Sequence, residues 1–564
     1  MAKTRLSPYG TWKSPINARM LSGKILRLMQ PRLVGNIAYW VESRPTEKGR
    51  NVLVRCTPSG RPTAVTGKKY DVVSRVHEYG GGAFAVHGDK AWIVNKPDQG
   101  IYEFAPRRQP FCVIQEDSLR FADLQYDTHR NRIVCIAERS GARLKQTENS
   151  LVSIDLEDGS LQTLAAGYDF YSSPRLSTLG SQLCWLAWNH PNMPWDGTEL
   201  FVAQCNPDGN LINARVIAGN EDESVFQPEW VRAGELVYVS DRSNWWNLYH
   251  WNGESRPVLR MNAEFGLPQW VFGMSTYGVI DNHTLVAAYT YDGNWEAALI
   301  DIPSGRLDKL DLTYSHIEHL HANAHGIVML AGSDNEASGV VYLNVNKPEP
   351  KILKRSSSAR VAAGYISPAQ DISFPTEDGE MAHGLYYPPA NQDIPAGRSE
   401  KPPLLVKCHG GPTSSTSRTL DLKIQFWTSR GFAVLDVNYR GSTGYGRAYR
   451  RDLYGMWGII DTADIIAGAR YLAGQQLVDP QRMVVSGSSA GGFTVLCALI
   501  FHKMFAAGAS YYGLSELKSA MADTGKFESR YGDTLIGPLP ESMVDWKERS
   551  PLYSANKLAC PVIF

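Results

Sequence analysis

Gly487-Ser488-Ser489-Ala490-Gly491 sets a serine among small residues where one apolar run ends and the next begins. The flanking runs are MVV at 483–485 and FTVLCALIF at 493–501. A strand that turns sharply into a helix needs small neighbours at such a point, because bulky ones would strike the adjacent backbone. The pattern G-x-S-x-G in a strand–turn–helix setting fits a nucleophile elbow. Ser489 then projects its hydroxyl above the sheet edge, and the N–H of Ala490 points at the oxyanion of a tetrahedral intermediate. Ser488, at the x position, is not the nucleophile. A serine hydroxyl attacks a carbonyl only with a base to take its proton, so the chemistry is acyl transfer through an acyl-enzyme.

His409-Gly410-Gly411-Pro412 lies 80 residues before Ser489, after the apolar run PLLVK. In α/β-hydrolases a loop at this place supplies the second oxyanion N–H donor. His409 is not assigned as the base, because the usual chain order is Ser, then Asp or Glu, then His. After Ser489 the sequence has only His502, within the helix that the elbow opens.

These residues need a sheet to hold them. From about Asp371 strands alternate with helices: PLLVKCHGG at 403–411, FAVLDVN at 432–438, the amphipathic run DTADIIAGARYLAGQQ at 461–476, the elbow, and AAGASYYG at 506–513. That alternation predicts a doubly wound, mostly parallel α/β sheet with function at the strand C-termini.

The first 345 residues read differently. Short β-runs begin at Ile37, Lys90, Arg132, Gln182, Glu235, Thr284 and Gly326. They recur roughly every 40–55 residues, the period of propeller blades. Each is followed across a turn by a partner run, starting at Asn51, Gly100, Ser150, Glu199, Asn247, Glu296 and Gly339. A seven-bladed β-propeller over 1–345 follows. A Lys-, Pro- and Ser-rich linker is expected at 346–370, and the α/β domain at 371–564. In the propeller, RVHEYGGGAF at 75–84 stands out. Its glycines permit a tight loop that displays Arg75, His77 and Glu78, and a blade connection with a structural ion pair is the plainer reading. In SDRSNWWNLYHW at 240–251, Trp245 and Trp246 are expected to be packing residues.

At 564 residues the chain exceeds one core. Lys plus Arg equals Asp plus Glu, 57 each, which gives no sign of nucleic acid or a charged membrane as partner. No apolar run reaches the length of a signal peptide or membrane span. Eight scattered cysteines without a C-x-x-C pair argue against zinc or a disulfide framework and suit the cytoplasm.

PYGTWKSPI, RVHEYGGG, HGGP, NYRGSTGYGR and GSSAGG occur in this order along the chain. With them the sequence resembles the prolyl oligopeptidase family of serine peptidases, most closely its acylaminoacyl-peptidase and dipeptidyl-aminopeptidase-like branch. The resemblance implies a propeller capping an α/β-hydrolase domain, with a chamber between them that admits short peptides. It implies no metal or other cofactor, and a homo-oligomer is possible. Ser489 would be the nucleophile, and Ala490 and Gly410 the oxyanion donors. Where several relatives carry an oxyanion Tyr, this chain has His409. Phe527 and Tyr512, with Tyr511, would line the specificity pocket. Glu78 is a candidate anchor for a substrate amino terminus, with Arg75 beside it. The triad Asp and His of the family would follow a segment like SPLYSANKLACPVIF. They are expected beyond Phe564, within on the order of 80 further residues. An esterase on the same fold, or an inactive propeller-bearing fragment, are the alternatives.

Overall fold

In the computed structural model, residues 7–22, 25–141, 146–395 and 400–564 are described. Seven four-stranded antiparallel sheets follow one another through residues 27–64, 84–114, 119–165, 170–220, 225–257, 277–309 and 316–355. They are the blades of the propeller. The β-run starts read from the sequence coincide with the second strand of each blade, from Ile37–Arg44 to Gly326–Ser333.

Inner strands carry a left-handed residue that bends them around the axis: Gln30, Asp123, Ser173, Gln227 and His319, with φ of 47–54°. Side chains here link neighbouring blades. Gln30 Oε1 accepts from Gly82 N at 3.0 Å, Asp123 Oδ2 from Ser173 N at 2.8 Å, and Gln227 Oε1 from Thr276 N at 2.7 Å. His321 Nδ1 accepts from Leu33 N at 3.2 Å and so joins blade 7 to blade 1. Among the described residues, no strand of one terminus completes the other terminal blade. That seam is closed by these bonds and by Leu28, Trp40 and Val54 packed with Val328, Leu330 and Tyr342.

Two boundaries differ from expectation. Lys347–Arg355, expected in the linker, is the outer strand of blade 7, paired with Glu336–Asn344. It is an exposed edge of lysines and prolines, so its composition is that of a linker while its backbone pairs as a strand. Residues 7–22 precede the first blade and pack on the α/β domain. Gly10 N donates to Arg430 O at 2.9 Å, Arg430 Nη2 donates to Ile16 O at 2.7 Å, and Ser14 bonds Ser429 at 2.7 Å.

The α/β sheet has strands β1 Gln370–Pro375, β2 Met381–Tyr387, β3 Leu404–Cys408, β4 Ala433–Asn438, β5 Met483–Ser488, β6 Ala507–Tyr511 and β7 Val562–Ile563. Their order is β1-β2-β4-β3-β5-β6-β7, antiparallel across β1-β2-β4 and parallel thereafter. Helix α1, Ile460–Gly474, and helix α2, Ala490–Phe501, pack on it. One apolar cluster runs from propeller residues such as Phe226, Phe265 and Tyr289 into Val406, Val437 and Phe493 of the sheet domain. The domains therefore meet through a core-like interface.

Candidate active site

Strand β5 lies between β3 and β6, and Ser489 follows its last residue. Ser489 has φ 54° and ψ −124°, a conformation that costs a non-glycine residue about 1–3 kcal/mol. Its N–H donates to Tyr511 O at 3.0 Å, and its carbonyl accepts from Phe493 N at 3.1 Å. The backbone is thus fixed from both sides. The side chain makes no capping bond to α2, and the residue is exposed. Ala490 opens α2, where first-turn N–H groups lack helical partners. A carbonyl oxygen above Ser489 would meet these donors.

The flanking glycines are required by contact. A Cβ on Gly487 would lie 2.3 Å from Gly491 O, and one on Gly491 2.4 Å from Cys408 O and 2.6 Å from His409 O. We expect Gly491→Ala to cost about 1–3 kcal/mol, read by urea unfolding, because all three atoms it strikes are backbone.

The loop after β3 faces the elbow. A Cβ on Gly410 would sit 3.1 Å from Ser488 O and 3.5 Å from Ser489 Cβ, so the loop lies against the elbow. The His409 side chain is half-buried, with both ring nitrogens engaged. Its ring stacks on Tyr439 at 4.4 Å, Nε2 bonds Ser442 Oγ at 2.8 Å, and Nδ1 bonds Gly410 O at 2.8 Å. Burial lowers its pKa. His409 holds the loop and is not in position to take the proton of Ser489. His502 caps the far end of α2, about 18 Å from Ser489 at 1.5 Å per residue. Beneath the elbow, buried Asp461 accepts from Thr494 Oγ1 at 2.5 Å and Gly458 N at 2.7 Å, and burial pushes its pKa up to about 6. It anchors α2, through a residue four positions beyond Ala490.

The residues assigned to substrate fall into two groups. Tyr511 ends β6 beside the nucleophile and Tyr512 follows it, 79% exposed with φ 42°. Phe527 is buried in an interdomain aromatic cluster. It stacks on His77 at 5.0 Å and meets Phe170, Trp195 and Trp270 edge-on or tilted within 6.5 Å. His77 is held neutral, its pKa lowered to about 3 by burial, so its imidazole serves as an aromatic wall.

Glu78 reaches across the interface and its carboxylate lies against Gly525, where an added Cβ would be 2.5 Å from it. Glu528 sits beside it and accepts from Tyr79 Oη at 2.7 Å. Burial, with the charge of Glu78, raises the pKa of Glu528. Arg75 stands exposed at the start of the loop, and the expected ion pair is carried instead by Arg120 and Glu138 at 3.2 Å. The loop glycines serve packing: a Cβ on Gly81 would lie 2.3 Å from Phe272 O. Glu528, Tyr79 and Lys526 escape sequence reading, since each lies in a stretch with no catalytic pattern. Their one signal is adjacency to Phe527 and Glu78. Among the described residues no cluster of His, Cys, Asp or Glu could hold a metal ion.

Residues 418–564 match the model of the prolyl oligopeptidase family. Over the whole chain the structure superimposes on a puromycin-hydrolyzing peptidase of Mycobacterium tuberculosis, with TM-score 0.95 and 34% identity, covering 99% of this chain and 88% of that one. The chain belongs to the prolyl oligopeptidase family. A second neighbour in structure, a puromycin hydrolase, has TM-score 0.93 and 32% identity over the same shares. In sequence, dipeptidyl aminopeptidase BIII of Pseudoxanthomonas mexicana is 30% identical over 181 residues, 31% of this chain and 26% of that protein. The matches to this protein and to a Bacillus subtilis peptidase span about a quarter to a third of each relative, 26% and 32%. The propeller over an α/β-hydrolase domain is the architecture that this family member displays. No described helix is long and apolar enough to cross a membrane.

Proposed function

We propose that this chain carries the nucleophile of a serine peptidase that hydrolyses short peptides through an acyl-enzyme on Ser489. The observation that carries the reading is Ser489 in its strained elbow, facing Gly410 and the N-terminus of α2 beneath the propeller. Ser489 Oγ attacks the scissile carbonyl, and the N–H groups of Ala490 and Gly410 bind the oxyanion. The leaving amine takes a proton, and water then hydrolyses the ester on Ser489. Neither His409 nor His502 is assigned as the general base. The propeller roof restricts substrates to short peptides, with no cofactor, nucleic acid or membrane involved. The eight cysteines are all free thiols, consistent with a cytoplasmic setting.

Glu78 and Glu528 give the reading its finer form. Two neighbouring carboxylates with one tyrosine donor between them favour a cation, and the α-ammonium of a peptide supplies one. On this reading Arg75 would border this end of the chamber, and Tyr512 and Phe527 would form its apolar wall. Relatives named for dipeptidyl aminopeptidase and puromycin hydrolase activity fit such a substrate, since puromycin is itself an aminoacyl amide with a free amine. The test is a panel of aminoacyl, dipeptidyl and N-acetylaminoacyl anilides, with puromycin and simple esters, on the whole protein. Free-amine substrates should lead. Ester turnover with no amide cleavage would sink the peptidase reading.

Glu78→Gln should raise KM for free-amine substrates about 10- to 100-fold, the worth of a charge-assisted hydrogen bond, and leave N-acetylated ones unchanged. Lowering the pH should do the same. Burial, with the charge of Glu78, raises the Glu528 pKa, so Glu528 loses its charge as pH falls while the ammonium stays protonated. A KM that is flat with pH for both substrate classes would count against the clamp.

A further inference from the structure

The oxyanion loop is held from both domains. On its own side, Tyr439 Oη donates to His409 O at 3.1 Å, and Tyr531 Oη bonds Thr413 Oγ1 at 2.5 Å. From the propeller, Trp270 Nε1 donates to Thr413 O at 2.7 Å. Trp270 is itself wedged between Trp195 at 4.4 Å, Tyr79 at 5.5 Å and Tyr531 at 5.8 Å. Thr413 is buried, and two residues separate it from Gly410, where an added Cβ would lie 3.5 Å from Ser489 Cβ. A propeller indole therefore ends on the segment that carries a proposed oxyanion donor.

We propose that Trp270 is a positioning residue through which the docked propeller sets the oxyanion loop, so that the site is fully assembled only while blades and α/β domain are in register. The inference rests on the serine-peptidase reading for its kinetic consequence, and on geometry alone for the loop. A donor must be aimed at the oxyanion to within a few tenths of an ångström to act in the transition state, and substrate binding does not require that aim. Loss of the indole bond should then appear in kcat and scarcely in KM.

The experiment compares wild type, Trp270→Phe and Trp270→His in the whole protein. Hydrogen–deuterium exchange of the peptide spanning 409–413 is measured alongside anilide kinetics. In W270F the ring remains and the N–H is gone. Exchange in this loop should rise at least about tenfold, with the elbow peptide at 487–492 unchanged. The same variant should lose about 10- to 100-fold in kcat at a KM within about twofold of wild type. Histidine, which restores a ring N–H, should recover part of both. Loop exchange at the wild-type rate would overturn the inference, as would an equal rise across both domains, which marks general loosening. A wild-type protein that turns over no anilide would remove the peptidase reading, while loop exchange would still decide whether Trp270 positions the loop.

Discussion

Ser489→Ala should lose turnover by on the order of 10⁴- to 10⁶-fold and all labelling by a fluorophosphonate, with little change in the binding of a non-cleaved peptide. The reasoning is local. The hydroxyl makes no capping bond to α2, so removing it leaves no buried partner unsatisfied. Neither α2 nor the Tyr511 contact depends on the side chain, because both are made by the backbone of residue 489. A thermal melt should therefore match wild type. Ser489→Gly adds a second readout. At φ 54° and ψ −124° the Cβ is what makes the conformation costly, so the glycine variant should be equally inactive yet melt higher than S489A. Retention of labelling in S489A would move the nucleophile to another residue. Equal melting temperatures for the two variants would mean that the elbow stores no strain.

The elbow was legible because its constraints are local: a strand, a turn too tight for side chains and a helix all leave marks within ten residues. The propeller was legible for a related reason. The second strand of each blade is buried on both faces and reads as an apolar run, as in QLCWLAW and GIVMLAG. Inner strands were not legible. They carry bulges at Gln30, Asp123 and Gln227, and polar side chains that bond the next blade, so their alternation is broken. Outer strands such as Lys347–Arg355 have one covered edge and exposed faces, and their residues are those of any surface loop. What sequence could not place was contact across domains. RVHEYGGG and the segment around Phe527 are some 450 residues apart, yet His77 stacks on Phe527 and Tyr79 bonds Glu528. Likewise SDRSNWW and RGSTGYGR, two motifs with no evident chemistry, meet each other: Asn244 Oδ1 accepts from Ala448 N at 2.9 Å and its carbonyl from Arg447 N at 2.6 Å. Such pairs have no spacing rule, because the chain between them is two folded domains.

That second meeting point is where the interface should break most sharply. Arg450, from the α/β domain, and Asp241, from blade 5's loop, form an ion pair at 2.6 Å in which neither side chain is exposed to solvent. Arg450 also donates to Trp195 O at 3.2 Å and lies over the Trp246 ring at 4.2 Å, while Asp241 Oδ1 accepts from Ser224 N at 2.8 Å. Burial pushes the Asp241 pKa up and the Arg450 charge opposes that rise. Arg450→Met should leave a buried carboxylate without its partner and cost about 3–5 kcal/mol. Arg447, 3.7 Å from Asp241, keeps the loss toward the lower figure. The double variant R450M/D241N, in which both members of the pair are neutral, should recover much of it. The pH dependence follows with a definite sign. Without Arg450 the folded-state pKa of Asp241 lies further above its unfolded value. The penalty is then largest at neutral pH and above, and shrinks as pH falls and the carboxyl takes up a proton. Urea unfolding of the single and double variants at pH 5 and pH 8 checks both claims. A single variant as stable as wild type at pH 8 would mean that water enters this interface and that the pair is not what joins the propeller to the sheet domain.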